Sequence, residues 1–429
     1  MGRRASPRHV GSTRAARRWD GDLMTAADAS ASASVRDAAA LRIVWSTELL
    51  GYDFGFGHPM TSDRIDLTIA LAAQLGLLES ARVEVVGAEP ASDELLTTVH
   101  EPEYVAAVHA AAERGEPDLV RGLGTRDDPL FPQMHEAAAR VVAGTVDAAM
   151  AVWEGAAEHA VNVGGGLHHA QRGAASGFCV YNDAGVAIRQ LLAAGARRIA
   201  YVDVDAHHGD GVQDLFWDDP RVLTVSVHET GHALFPGTGY PTETGGPGAD
   251  GTAVNVALPS RTGDAGWLRA IEAVVPAVVR EFAPDVLVTQ HGCDTHRMDP
   301  LATLRVSVDA QVVAAHLLHE LAHEVCDGRW VALGGGGYAI LDVVPRTWTH
   351  LIGVAAHRPV DPATRVPQVW LEVVRQRYGR DAVPVMGDGA PATYKPWSSG
   401  YDPADDVDRA IRATRAAVFP SLGLDPDLD

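Results

Sequence analysis

Directly after the apolar run Ile199-Ala200-Tyr201-Val202 the chain places Asp203, Asp205, His207, His208 and Asp210. Buried carboxylates are costly unless they pair or bind a metal, so this density of titratable groups at a strand end asks for a cation or a proton-transfer role. Asp205 and His207 stand two apart, and an extended chain turns both side chains to one side. With Asp294 from another strand end they form a carboxylate, imidazole, carboxylate set that leaves positions open for water and substrate. A metal there polarises a carbonyl and lowers the pKa of its water from ~16 towards ~7. Taken singly, Asp205 would cap a turn and His207 would be a loop histidine; the cluster favours the metal.

The adjacent pair His168-His169, after the turn Gly164-Gly165-Gly166, is the second element. Alone, two such histidines could be metal ligands, acid/base groups or surface residues. Asp203 and Asp210 favour the acid/base role, because carboxylates not needed by the metal can each orient one imidazole and raise its basicity. The third element is Tyr338 after "LGGGG". The glycines let the backbone approach closely, and a phenol placed there can donate to a developing oxyanion.

These residues need a frame that gathers them. "LRIVW", "HAVNV", "RVLTVSVH", "TAVNVAL", "DVLVTQHG" and "RWVALGGGG" have the texture of strands. Residues 63–78 and 133–155 have helical spacing, as does "AGWLRAIEAVVPAVVREF". Such alternation predicts an α/β domain, with a mainly parallel sheet covered by helices on both faces. The polar clusters fall at the C-terminal ends of the strands, where the ligand crevice of an open α/β sheet lies. Residues 1–40, basic and then low in complexity ("ADASASASVRDAAA"), are expected to be a disordered extension, with Met24 as an alternative start. Residues 41–355 are expected to form one catalytic domain, and 356–429 a Pro-rich tail with a late helix packed on it.

Composition bounds the function classes. Apolar content of 46% and charged content of 21% are globular values. The formal net charge of −21 argues against a surface built for nucleic acid. Cys179, Cys293 and Cys326 lie far apart without CxxC spacing, which argues against a disulfide framework or a thiolate zinc cluster and fits a reducing compartment, the cytoplasm. No apolar run reaches the ~20 residues needed to span a bilayer.

In combination, "GHPMTSDR", "GGGLHHA" with "SGFCVYND", "DVDAHHGDG", "FPGTG", "GCDTHRMDPL" and "LGGGGY" resemble the zinc-dependent histone deacetylases, in their bacterial acetoin-utilization branch. The resemblance implies an arginase/deacetylase-like three-layer fold and deacetylation of acetyl-lysine in proteins. It implies Asp205, His207 and Asp294 as ligands of Zn²⁺, with Fe²⁺, Co²⁺ or Mn²⁺ also compatible with such donors. His168 and His169 become the acid/base dyad, supported by Asp203 and Asp210, and Tyr338 the oxyanion donor. Phe178 and Phe235, with Gly177, match the lysine tunnel, Leu301 its rim and Arg64 an internal acetate pocket. Asp127 matches the substrate-backbone acceptor, although Asp128 stands where a small residue is expected. A structural K⁺ is implied around Asp203, Asp205, His207, Ser226 and Val227. The rivals are an acetylpolyamine amidohydrolase, an arginase-like ureohydrolase with two Mn²⁺ ions, and a silent acetyl-lysine-binding module. The last would be expected to lack Tyr338 or a ligand.

Overall fold

The structure, a computed structural model, describes residues 39–428, so most of the N-terminal extension, Met24 included, lies outside the described residues. Ala39 and Ala40, expected in that extension, instead open the first strand, because their backbone pairs with its neighbours. Eight strands form one sheet: β1 (Ala39–Val44), β2 (Val83–Val86), β3 (Ala157–Asn162), β4 (Ile199–Asp203), β5 (Val222–Glu229), β6 (Ala253–Leu258), β7 (Val286–Gln290) and β8 (Trp330–Leu333). Their order is β2-β1-β3-β8-β7-β4-β5-β6, and every pairing is parallel.

Both faces of the sheet are covered, which explains why β4 reads as a continuous apolar run. Ile199 and Tyr201 enter one core, together with the helices Met134–Trp153 and Asp183–Ala193. Ala200 and Val202 enter the other, with Asp63–Gln74, Asp264–Phe282, Val308–Cys326 and Val344–Ala355. Period-two alternation along each strand thus feeds two apolar layers. The helix expected over 63–78 stops at Gln74, just before Gly76 turns left-handed at φ 70°. No helix among the described residues is long and apolar enough to cross a membrane.

The C-terminal segment contains two helices where the sequence suggested one. The first, Gln368–Tyr378, buries Trp370, whose indole N–H donates to the Leu67 carbonyl at 3.0 Å. The second, Asp406–Val418, is capped by Asp405 and tied to the core by the Arg269–Asp408 pair at 2.6 Å. His296, in "GCDTHRMDPL", is buried against Asp388 of the same segment at 2.8 Å. It therefore anchors the C-terminal chain.

The chain order reverses around β3, β8, β7 and β4, the four central strands. Ligands of open α/β sheets bind outside the carboxyl ends of strands at such a reversal.

Candidate active site

Each central strand delivers one part of the site. His168 and His169 follow β3; Asp203 ends β4, with Asp205 and His207 just beyond; Asp294 follows β7, and Tyr338 follows β8. The pleat does not align Asp205 with His207 as expected, because β4 ends at Asp203. Two successive side-chain-to-backbone turns bring them together instead. Asp203 Oδ1 accepts the Asp205 N–H at 3.0 Å and Asp205 Oδ1 accepts the His207 N–H at 2.9 Å.

His207 Nδ1 lies 2.8 Å from Asp294 Oδ2 and 3.2 Å from Asp205 Oδ1. Asp205 and Asp294 are fully buried. Burial and the neighbouring Asp205 push the Asp294 carboxyl up to about 7, whereas His168 and His207 hold the Asp205 carboxyl well below the usual carboxylate range despite its burial. Two buried carboxylates converging with one imidazole fit a divalent cation by charge and donor type. Backbone holds the outer oxygens: the Gly336 N–H donates to Asp205 Oδ2 at 2.7 Å and the Ala206 N–H to Asp294 Oδ1 at 2.9 Å. A Cβ on Gly336 would stand 2.2 Å from Asp294 Oδ2, so this approach requires glycine.

Each imidazole of the pair has its own carboxylate. His168 Nδ1 is 2.8 Å from Asp203 Oδ2, and His169 Nδ1 is 2.6 Å from Asp210 Oδ1. Their environments push the two rings apart in basicity. Burial disfavours charge on His168, yet Asp203 and Asp205 outweigh it and raise the group to about 9. Burial and the adjacent His168 hold His169 down to about 4. Gln171 Nε2 donates to the second Asp210 oxygen at 2.9 Å, and the Tyr201 hydroxyl lies 2.8 Å from Asp203 Oδ2. His208, fourth in the cluster, turns to Thr238 and Gln213 instead of joining Asp205, His207 and Asp294.

His168, His169, Asp205 and His207 line a cavity of about 210 Å³ together with Gly177, Phe178, Phe235, Leu301, Asp127 and Tyr338. The Phe235 ring stands edge-on to His169 at 5.0 Å and the Phe178 ring edge-on to Tyr338 at 5.7 Å. Gly177 has φ 55°, and a Cβ there would sit 2.5 Å from the His169 ring. Burial keeps the Tyr338 phenol protonated, hence a donor. Arg64 does not line the cavity. It lies buried behind the glycine loop, donating to the carbonyls of Gly335 (2.9 Å) and Gly337 (3.1 Å).

The structure adds groups that the sequence reasoning did not assign. Asp299 accepts the amides of Leu301 (2.9 Å) and Tyr338 (2.8 Å), joining rim to floor. Its signal was its place before Pro300 in "GCDTHRMDPL". Asp128 is buried, with burial and Asp127 raising it to about 7, and it faces the amides of Phe178 and Cys179. It lies beside the Phe178 turn, while Asp127 next to it is exposed on the rim.

Fold and site together define a metal-dependent deacetylase. A histone deacetylase domain matches residues 58–355, and the chain belongs to the histone deacetylase family. Within it the chain is acetoin-utilization-like: it is 42% identical over 334 residues to the acetoin utilization protein AcuC of Bacillus subtilis (strain 168), covering 76% of this chain and 84% of that one. The AcuC of Staphylococcus xylosus is 35% identical over 76% of this chain and 85% of its own. Among solved structures, an HDAC homolog complexed with SAHA superposes with a TM-score of 0.74 at 25% identity, covering 88% of this chain and 100% of that one. The HDA15 HD domain gives 0.68 at 27% identity, over 79% and 93%.

Proposed function

We propose that the protein removes the acetyl group from acetyl-lysine in proteins or peptides, with Zn²⁺ held by Asp205, His207 and Asp294. The observation that carries this is the pairing of His168 and His169 with separate carboxylates beside a buried three-donor set, at a cavity walled by two phenyl rings. Bound Zn²⁺ supplies polarisation of the amide carbonyl and acidification of water.

The chain's own groups supply the rest. Phe178 and Phe235 sandwich the apolar linker, so that only the amide meets polar groups. Asp210 engages His169 Nδ1, which leaves Nε2 to take the proton of the attacking water. Asp203 stabilises charge on His168, and the dyad returns a proton to the departing amine. Tyr338 donates to the oxyanion. Asp127, on the rim, accepts a backbone N–H of the peptide. A structural K⁺ beside Asp203 and a cytoplasmic location belong to the same proposal.

The test is hydrolysis of an acetyl-lysine peptide by the full chain, stripped with chelator and reloaded with Zn²⁺. Turnover that tracks Zn²⁺ supports the proposal. No turnover with Zn²⁺, Fe²⁺ or Co²⁺ would overturn it.

A further inference from the structure

A second group of histidines lies away from the cavity, towards the N-terminal ends of the strands. His159 is in β3, where it pairs with Trp330, the first residue of β8. His319 and His323 stand one turn apart on the helix Val308–Cys326, and His357 follows the helix Val344–Ala355. The three Nε2 atoms of His159, His319 and His323 are mutually close: 3.1 Å from 159 to 319, 3.3 Å from 159 to 323 and 3.2 Å from 319 to 323. A donor atom of His357 joins them, all four lying within 4.8 Å of one another.

We propose that His159, His319, His323 and His357 form a second metal site, a closed tetrahedral one for a divalent transition metal such as Zn²⁺. Hydrogen bonding alone cannot satisfy this arrangement. A neutral imidazole Nε2 is either donor or acceptor, and three such atoms in a triangle cannot alternate, so one edge always joins like to like. His159 is fixed further, because its Nδ1–H donates to the Gly328 carbonyl at 2.8 Å and leaves Nε2 bare. Backbone carbonyls orient metal-bound histidines in this way. A metal at the centre takes all the lone pairs at once.

The spacing agrees. Zn–N distances of ~2.0–2.1 Å at tetrahedral angles put neighbouring nitrogens ~3.3–3.4 Å apart. Glu158 Oε1 lies 3.4 Å from His357 Nε2, a carboxylate beside the cation. His357 has left-handed backbone at φ 53°, uncommon outside glycine. Exposure of His323 and His357 leaves an entry path. Four imidazoles leave no open position, so the role is structural: the metal pins the end of Val308–Cys326 to β3 and to the turn after Val344–Ala355.

The experiment counts metal in the full chain, stripped with chelator, dialysed against Zn²⁺ and read by elemental analysis. We expect about two equivalents in the unmodified protein and about one in the His319→Ala/His323→Ala variant or in Asp205→Ala. In the Asp205→Ala background Zn²⁺ should still raise Tm, and adding the two histidine substitutions should remove that rise. If the double variant fails to fold, His357→Ala, at an exposed position, should weaken one Zn²⁺ by ~10-fold or more against a chromophoric chelator. One equivalent in the unmodified chain, two in the histidine variant, or unchanged affinity in His357→Ala overturns the site. Loss confined to Asp205→Ala would do so while leaving the catalytic assignment intact.

Discussion

Asp299 Oδ2 accepts the backbone N–H of Tyr338 at 2.8 Å, while Oδ1 of the same carboxylate accepts that of Leu301 at 2.9 Å. One buried side chain therefore sets the phenol on the floor and the apolar residue on the rim. Asn at this position keeps a single acceptor and turns an amide N–H₂ towards the other backbone donor. A phenol displaced by ~1 Å can cost ~10²-fold in rate. We expect Asp299→Asn to lower kcat by ~10–10²-fold, with bound metal and KM little changed. Unaltered kcat would separate Asp299 from Tyr338 function.

Tyr338→Phe removes the donor and leaves the ring that packs at 5.7 Å from Phe178. Metal content and Tm should stay at the unmodified values while kcat falls ~10²–10³-fold, the usual cost of one oxyanion donor. A variant with full kcat would exclude the phenol from the chemistry.

His100 gives the fold an acid limit. It is buried and uses both ring nitrogens as a neutral group: Nδ1–H donates to the Gln171 carbonyl and Nε2 accepts the Asn182 N–H, each at 3.0 Å. Burial holds it down to about 4, against 6.5 in the unfolded chain. Above pH 6.5 both states are neutral and its contribution is complete. Between 6.5 and 4 the unfolded chain takes up a proton that the folded one refuses, so stability falls with pH by ~1.4 kcal/mol per unit for this group. His291 and His350, also buried and depressed, add to the same limb. His100→Gln should be less stable at pH 7.5 yet lose less on acidification to pH 5, as read from denaturant midpoints. Parallel acid limbs in the two proteins would rule out this role.

The candidate site was legible because strand ends carry their titratable groups in short contiguous runs. "DVDAHHGD" and "GGGLHHA" hold two of the three candidate metal donors and the histidine pair, and "GCDTHRMDPL" holds the third, Asp294, without any knowledge of the sheet. What stayed hidden depends on distance across the fold. Asp299 looks like an ordinary turn residue until Tyr338 is seen above it, 39 positions away. His159 looks like a strand residue, and only the docking of a helix 160 positions later makes it a candidate ligand. His296 found its partner in a Pro-rich segment whose own helix, Gln368–Tyr378, has a weak apolar pattern because few of its side chains are buried. Arg64 shows the converse limit, since its motif was plain but its engagement with the Gly335 and Gly337 carbonyls was not.

Substrate class turns on the rim. A free polyamine keeps a second cationic nitrogen that needs a partner at the cavity mouth, whereas a peptide lysine presents an uncharged backbone there. Leu301, half-buried on the cavity wall and held by Asp299, is apolar and offers no such partner. Asp127 is exposed, so water weakens its pull on an ammonium, while it can still accept a peptide N–H. The net charge of −21 attracts any polycation, but that field is screened within ~8 Å at physiological salt. The local wall therefore decides. We expect the unmodified protein to show higher kcat/KM on an acetyl-lysine peptide than on an N-acetylated polyamine. Leu301→Glu, which sets a half-buried carboxylate beside the linker, should raise the polyamine-to-peptide ratio of kcat/KM by ~10-fold or more, since a charge-assisted contact there is worth more than ~1.4 kcal/mol. A polyamine preference in the unmodified chain would reverse the substrate assignment and leave the metal site and the histidine pair as they stand.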